Sequence, residues 1–200
     1  MVPSLPEWPG SLDMIHDLSI EELMAMAAAS GGAEAKPRYH EMTTHDIATI
    51  TAQLGDAVAR ARAAGFDAVE IHGAHGYLAS GFLSPQWNRR TDEYGGSAQN
   101  RARLLCEWIA VAKQRAGDDL PVWCRLDALE YRTPDGITFE HTRETARLAV
   151  AAGADAVHLS AYGDMTSGQA FTEGTLPDRE ARHAALSGEL TRDLPVPVIA

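Results

Sequence analysis

From Thr43 onward the chain repeats one phrase: apolar residues at helical spacing, a glycine, then a short run in which apolar and polar residues alternate. In the first phrase Ile47, Ile50, Leu54, Val58 and Ala61 recur three or four residues apart, which places them on one helix face. Thr43 followed by Asp46 has the form of a capping box, and Gly65 ends the helix before a strand expected over residues 66–72. Leu104, Leu105, Trp108, Ile109 and Ala112 mark a second helix over residues 100–116, closed by Gly117 and followed by a strand over residues 121–127. Thr138 opens a third helix over residues 139–152, Gly153 stops it, and a strand follows over residues 155–161. A fourth helix over residues 178–193 leads into a strand over residues 196–200. The phrases AAGFDAVEI and VAAGADAVHL repeat the same helix stop and strand start, so the pattern predicts a parallel sheet built from βαβ units.

The faces of these strands decide which kind of sheet. Successive strand residues point to opposite sides, so Val69 and Ile71 oppose Glu70 and His72. In the same way Val122, Cys124 and Leu126 oppose Trp123, Arg125 and Asp127, and Val157 and Leu159 oppose His158 and Ser160. A parallel sheet covered by helices on both sides reads as nearly continuous apolar runs. One consistently polar face instead predicts strands whose inner side lines a ligand-bearing barrel mouth. The expected fold is therefore α/β, of the (β/α)8 TIM-barrel type, with about half of the barrel present.

Residues 1–42 do not share the pattern. PSLPEWPG is an extended entry, SIEELMAMAAAS suits a short helix capped by Ser19 with Glu22 three residues on, and GGAEAKPRYH breaks it. The organisation expected is a linker over residues 1–42 and a partial barrel domain over residues 43–200.

Composition narrows the function. With 45% apolar and 22% charged residues in 200, the chain is of the soluble globular class. A net charge of -11 argues against nucleic acid or anionic membrane as a partner, since both demand a basic surface. No apolar run approaches the ~18 residues of a membrane span, and no secretory leader opens the chain, so a cytoplasmic location is expected by default. Cys106 and Cys124 are too far apart for a close metal-ligand pair and read as buried thiols of a reducing compartment.

The chemistry gathers in residues 67–77, DAVEIHGAHGY, where a strand runs into a glycine-interrupted loop. In α/β folds this is where ligands bind. His72 and His75 suit a shared hydrogen bond to one oxygen, or one metal if Asp127 or His158 adds a third ligand; the alternative is a capping or core pair. Tyr77 is a proton donor beside them or a packing residue. Arg125, on the inner face, cannot lose its proton and must find an anion, either Glu70 on the neighbouring strand or an anionic cofactor or substrate group. The long loop over residues 82–103, with Asn88, Arg90, Asp92, Tyr94 and the pair Gly95 and Gly96, reads as a rigid loop held by side-chain hydrogen bonds.

GFDAVEIHGAHGYL followed by FLSPQWNRRTDEYGGSAQNRAR resembles the old yellow enzyme family of flavin-dependent ene-reductases, in particular its branch with the 2,4-dienoyl-CoA reductases and NADH:flavin oxidoreductases. The likeness covers residues 37–200. It implies a TIM barrel carrying FMN at the C-terminal ends of its strands, with this chain supplying the fourth to seventh strands. NAD(P)H is the implied electron donor, and the C=C bond of an α,β-unsaturated carbonyl compound is the implied small-molecule substrate. By the same likeness His72 and His75 bind the carbonyl oxygen, Tyr77 gives a proton to the α-carbon, and Arg125 lies beside the flavin N1/O2 edge. The family's first strands have no counterpart in residues 1–42 and its FMN-phosphate loops fall beyond Ala200, so the chain is expected to belong to a longer enzyme. Two other expectations stand beside this one. The first is a truncated, inactive remnant, or a half-barrel acting only by association, as a homo-oligomer or with a partner, which would cover its open edges. The second is a metal-dependent barrel hydrolase built on His72 and His75.

Overall fold

The computed structural model describes residues 1–4, 40–117, 119–131, 135–163 and 184–200. The expected alternation is present there, and its three long helices each begin where a side chain caps them. Helix α1, Thr44–Ala63, opens on a capping box in which the Asp46 amide donates to Thr43 Oγ1 at 3.2 Å and the Thr43 amide to Asp46 Oδ2 at 2.8 Å. Such a cap contributes about 1 kcal/mol. Strand β1, Val69–Gly73, follows, and then a short helix α2, Leu78–Leu83. Helix α3, Ala98–Ala116, starts two residues before the expected position 100, because Ser97 Oγ accepts the Asn100 amide at 3.2 Å. Strand β2, Val122–Tyr131, runs longer than expected. Helix α4, Phe139–Ala151, opens on Thr138 and His141, and strand β3, Val157–Gly163, comes next. Helix α5, Ala184–Asp193, and strand β4, Val198–Ile199, complete the order; the first residues of the expected fourth helix and the short helix expected after Ser19 lie outside the described residues.

All four strands pair in parallel in the order β1, β2, β3, β4. Parallel neighbours must be joined by crossovers, and α3, α4 and α5 supply them. The helices cover one face of the sheet. Leu104, Leu105, Ile109 and Ala112 of α3 join Ile71, Val122, Cys124, Leu126, Val157 and Leu159 in a single core cluster, all of them buried. A fully buried Leu or Ile in such a core is worth roughly 1.5–3 kcal/mol. The opposite face carries Glu70, His72, Trp123, Arg125, His158 and Ser160, each part-exposed, as the alternation requires.

Register then sets these polar groups in rows. His72 lies level with Arg125, and Arg125 with His158; Glu70 lies level with Trp123, and Asp127 with Ser160. Past Asp127 the register shifts, Glu130 pairing with Tyr162, so β2 carries an extra residue and its alternation breaks. Glu130 is buried there, its Oε2 accepting the Ser84 hydroxyl at 2.6 Å and the Ile137 amide at 2.7 Å.

The loop between α2 and α3 is held as its composition suggested. Asn88 Nδ2 donates to the carbonyls of Phe82 and Tyr94, both at 2.7 Å. Arg90 pairs with Asp92, reaches the carbonyls of Pro3 and Met42, and lies 5.8 Å from the centre of the Phe82 ring. Buried Arg101 donates to the carbonyls of Leu83 and Gly96. Through Arg90 the loop is tied to the start of α1 and to the N-terminal residues, where Val2 bridges to Glu41.

Candidate active site at the strand ends

Strand β1 ends at Gly73, and the chain turns at once. His75 has φ of +61° and Gly76 of +69°, so two consecutive residues are left-handed, the first of them bearing a side chain. That conformation is uncommon outside glycine and costs roughly 1–2 kcal/mol. Its result is to fold the loop over the end of its own strand. The His75 ring centre comes to 5.0 Å from that of His72, edge to face, and the Tyr77 ring lies 5.1 Å from His72 on another side. Tyr77 is 64% exposed and starts α2 without a side-chain cap. The three rings singled out from the sequence are therefore one cluster with His72 at its centre.

Asp127 and Ser160, level with each other on β2 and β3, hold this loop. The carboxylate oxygen Asp127 Oδ2 accepts the His75 amide at 2.8 Å and the Ser80 hydroxyl at 3.0 Å. Ser160 Oγ lies 2.5 Å from His75 Nε2. A serine that donates there leaves the ring proton on Nδ1.

Below the rings lies a carboxylate hub. Glu70 Oε1 accepts from Arg125 Nη2 at 2.8 Å, and Glu70 Oε2 accepts from Trp123 Nε1 and His158 Nδ1, both at 2.7 Å. The sequence left Arg125 with two candidate partners, and Glu70 is one of them. Yet Glu70 shares its charge among three donors, and Arg125 Nε is buried without a hydrogen-bond partner among the described residues.

The local charges follow from these contacts. Burial, then the nearby Arg125 charge, lowers the proton affinity of His72 below that of an ordinary imidazole. For His75 the causes are burial, then His72, Arg125 and His158. Both rings are neutral at neutral pH and can donate an N–H without carrying charge. Burial alone would raise Glu70, but hydrogen bonds from His158 and Trp123 and the charges of His158 and Arg125 outweigh it and hold the carboxyl below its usual value. Asp127 goes the other way. Burial pushes its carboxyl up to about 7, against the opposing hydrogen bonds from His75 and Ser80.

His72, His75, Tyr77 and Arg125 thus stand within one neighbourhood. Glu70, Trp123, Ser80 and Ser160 support them and were not singled out as site residues, although strand parity had set Glu70, Trp123 and Ser160 on the polar face. A metal centre does not assemble: among the described residues no three His, Cys, Asp or Glu side chains converge to hold an ion. Both expected third ligands are turned to other work, Asp127 to the His75 amide and His158 to Glu70.

Parallel strands with helical crossovers and ionisable groups gathered at the strand C-terminal ends define a barrel-type α/β protein, a fold whose ligands bind at the strand mouth. Its family is specific. The chain belongs to the NADH:flavin oxidoreductase / NADH oxidase family, whose model matches residues 12–173. An NADH oxidase of Thermoanaerobacter brockii is 41% identical over 121 residues, covering 60% of this chain and 18% of that protein. An NADPH dehydrogenase of Clostridium acetobutylicum is 47% identical over 98 residues, covering 49% of this chain and 29% of that protein. Among solved structures, a 2-naphthoyl-CoA reductase in complex with 2-naphthoyl-CoA superposes with a TM-score of 0.73 at 28% identity, over 82% of this chain and 25% of that one. The chain spans less than a third of each of these proteins. The resemblance to old yellow enzyme is borne out, and the four-stranded sheet is half of a (β/α)8 barrel. The family match begins inside the segment expected to be a linker, most of which lies outside the described residues. No helix among the described residues is long and apolar enough to cross a membrane.

The family pairs FMN with a reduced nicotinamide. The residues present suit such a group. Arg125 puts a fixed cation, its side chain 31% exposed and its Nε unpartnered among the described residues, in the middle of the polar face between two histidines. An electron-rich ring that gains negative charge on reduction calls for such a donor.

Proposed function

We propose that this chain carries the substrate-binding part of an FMN-dependent NAD(P)H oxidoreductase that reduces the C=C bond of α,β-unsaturated carbonyl compounds. The observation that carries the reading is the ring cluster: two neutral imidazoles 5.0 Å apart with a phenol 5.1 Å from one of them, at a strand end and level with an arginine. Neutral imidazoles donate hydrogen bonds to a carbonyl oxygen, which draws electron density from the conjugated double bond and stabilises the enolate-like charge that develops there. Ser160 fixes the His75 ring for that task. Tyr77, exposed at the mouth, is the residue that would give its proton to the α-carbon. FMN, when bound, supplies the hydride it has received from NAD(P)H, and Arg125 is the residue that would hold the electron-rich edge of its ring. Acid and donors then sit within six residues, so protonation and carbonyl polarisation are set by one strand end and the turn that follows it.

The test uses the chain and a version spanning a complete barrel, each titrated with FMN and assayed for NADH and NADPH oxidation with 2-cyclohexen-1-one. His72→Asn and His75→Asn are expected to weaken enone binding roughly tenfold each, the loss of one good hydrogen bond. Tyr77→Phe is expected to slow enone reduction by at least about a hundredfold while nicotinamide oxidation by the flavin is kept. A complete-barrel protein that binds no flavin and oxidises no nicotinamide would sink the assignment.

A further inference from the structure

We propose that Asp127 is a positioning residue: its carboxylate grips the backbone of His75, holds that residue in the left-handed conformation, and so fixes where the second imidazole stands relative to His72. This rests on the reading of His72 and His75 as the carbonyl-binding pair, and it adds the device that sets their spacing.

Asp127 is 1% exposed at the end of the regular part of β2, just before the extra residue breaks the alternation. One oxygen does the holding: Oδ2 takes the His75 amide at 2.8 Å and the Ser80 hydroxyl at 3.0 Å. Ser80 Oγ in turn lies 3.4 Å from the Gly76 amide, so both left-handed residues are reached from the same carboxylate, one directly and one through a serine. The ring of His75 is held independently by Ser160, the register partner of Asp127. Backbone and side chain of one residue are therefore each fixed by one member of a facing pair on adjacent strands.

The other oxygen argues that the carboxylate serves the site rather than the fold. Asp127 Oδ1 is buried with no hydrogen-bond partner among the described residues. An unpaired carboxylate oxygen in the interior works against folding, and a position serving stability alone would be better filled by a neutral acceptor. What a carboxylate offers is a stronger acceptor for an amide that has to be held in an unfavourable conformation.

A grip by a carboxylate also responds to pH. The ionisable groups around Asp127 are Glu130 on its own strand, His141 of α4, which lines the same small cavity, and His75 on the loop, with Arg125 and His72 a step further down the polar face on β2 and β1. Helix α2, helix α4 and strand β3 present hydroxyls to its side chain, backbone or register position, from Ser80, Thr142 and Ser160. As protonation converts the carboxylate into a weaker acceptor, the His75 amide is released first, and the imidazole pair loses its spacing.

The experiment reads the backbone directly. In the isotopically labelled protein, the His75 amide resonance and the Asp127 carboxyl carbon are followed through the neutral range. They are expected to move with one midpoint, and a His75 amide that stays still while Asp127 titrates would overturn the proposal. Asp127→Ala is expected to speed hydrogen exchange at the His75 amide at least about tenfold, with Asp127→Asn, which keeps an acceptor, much closer to the parent. Exchange in Asp127→Ala equal to the parent's overturns the proposal; if that variant does not fold, the co-titration in the unaltered chain decides. Binding of 2-cyclohexen-1-one, seen at the ring protons of His72 and His75, is expected to depend on neutral pH in the parent and to lose that dependence in Asp127→Asn. Co-titration of amide and carboxyl without any enone binding would uphold the grip and remove the carbonyl-binding reading, so the two fail separately.

Discussion

Replacing Asp127 by Asn makes a sharp prediction for stability against pH. The carboxyl is moved by burial from an ordinary 3.8 to about 7, and each tenfold change in proton affinity is worth about 1.4 kcal/mol. The folded state therefore binds this proton more tightly than the unfolded chain. Its contribution is fully favourable below the unfolded value, declines as pH rises through the interval between 3.8 and about 7, and is flat above it. Across that interval the parent should lose on the order of 4 kcal/mol from this one group. The lowered carboxylates Asp46, Glu70, Asp92, Asp155 and Asp193 act in the opposite sense and at lower pH, and the lowered histidines His72, His75 and His141 cost stability as pH falls below their usual range. All of these are common to parent and variant, so the difference between the two isolates Asp127. Asn keeps one oxygen for the His75 amide and cannot ionise. Urea unfolding followed by far-ultraviolet circular dichroism at several pH values from about 5 to about 8 gives both curves. The variant is expected to gain on the parent by several kcal/mol over that span. Two curves that stay parallel to within about 0.5 kcal/mol would show that Asp127 is not a strained buried carboxyl at all.

Three further substitutions probe the scaffold. Glu70→Gln leaves one acceptor oxygen for three donors, so it is expected to lower unfolding free energy by about 2 kcal/mol; a double-mutant cycle with Arg125→Met should show coupling, and strict additivity would mean that the hub does not act as a unit. Gly95→Ala places a Cβ 2.0 Å from the Arg90 carbonyl oxygen, whereas Gly96, with φ of +81°, has open space. Gly96→Ala should thus cost only the roughly 1–2 kcal/mol of a left-handed side chain, and Gly95→Ala more than that; the reverse order of denaturation midpoints would refute the loop geometry. Phe82→Ala removes a fully buried ring that Tyr94 meets edge-on and Arg90 covers, so a loss of about 3–5 kcal/mol is expected in the same assay.

The sequence disclosed most where the determining forces are local. Strand parity put Glu70, His72, Arg125, His158 and Ser160 on one face because alternation is a property of the extended backbone itself, and the capping residues Thr43 and Thr138 marked helix starts through contacts three residues away. Helix α2 escaped notice because Tyr77 gives it no side-chain cap and its six residues lie under tertiary contacts. The hold of Asp127 on His75 spans 52 residues and that of Ser160 on His75 spans 85, so no window along the chain contains either. Parity gave the face on which Asp127 sits but not its depth. Burial there depends on the loop after β1 closing over the end of β2, which is a consequence of the fold.

Arg125 is held by one of its two expected partners and keeps a donor free of hydrogen bonds among the described residues. From the sequence its choices were an ion pair with Glu70 or an anionic group at the mouth, posed as alternatives. In the structure the first is formed without using every guanidinium donor. Glu70 lies one row beneath Arg125 and takes its Nη2 through one oxygen, while Trp123 and His158 claim the other, so the carboxylate orients the guanidinium from below without engaging Nε. A full bidentate pair would have used both oxygens on the arginine and left a neutral, self-contained unit. Dividing the carboxylate among three partners keeps Arg125 in place and leaves Nε unpartnered among the described residues, beside the rings of His72 and His158. A part-buried cation held in this way raises the cost of protonating its neighbours, and its charge is among the causes that lower His72 and His75. The arginine and the imidazoles are therefore one electrostatic unit: the cation that suits an electron-rich ring is also what helps keep two hydrogen-bond donors neutral beside it.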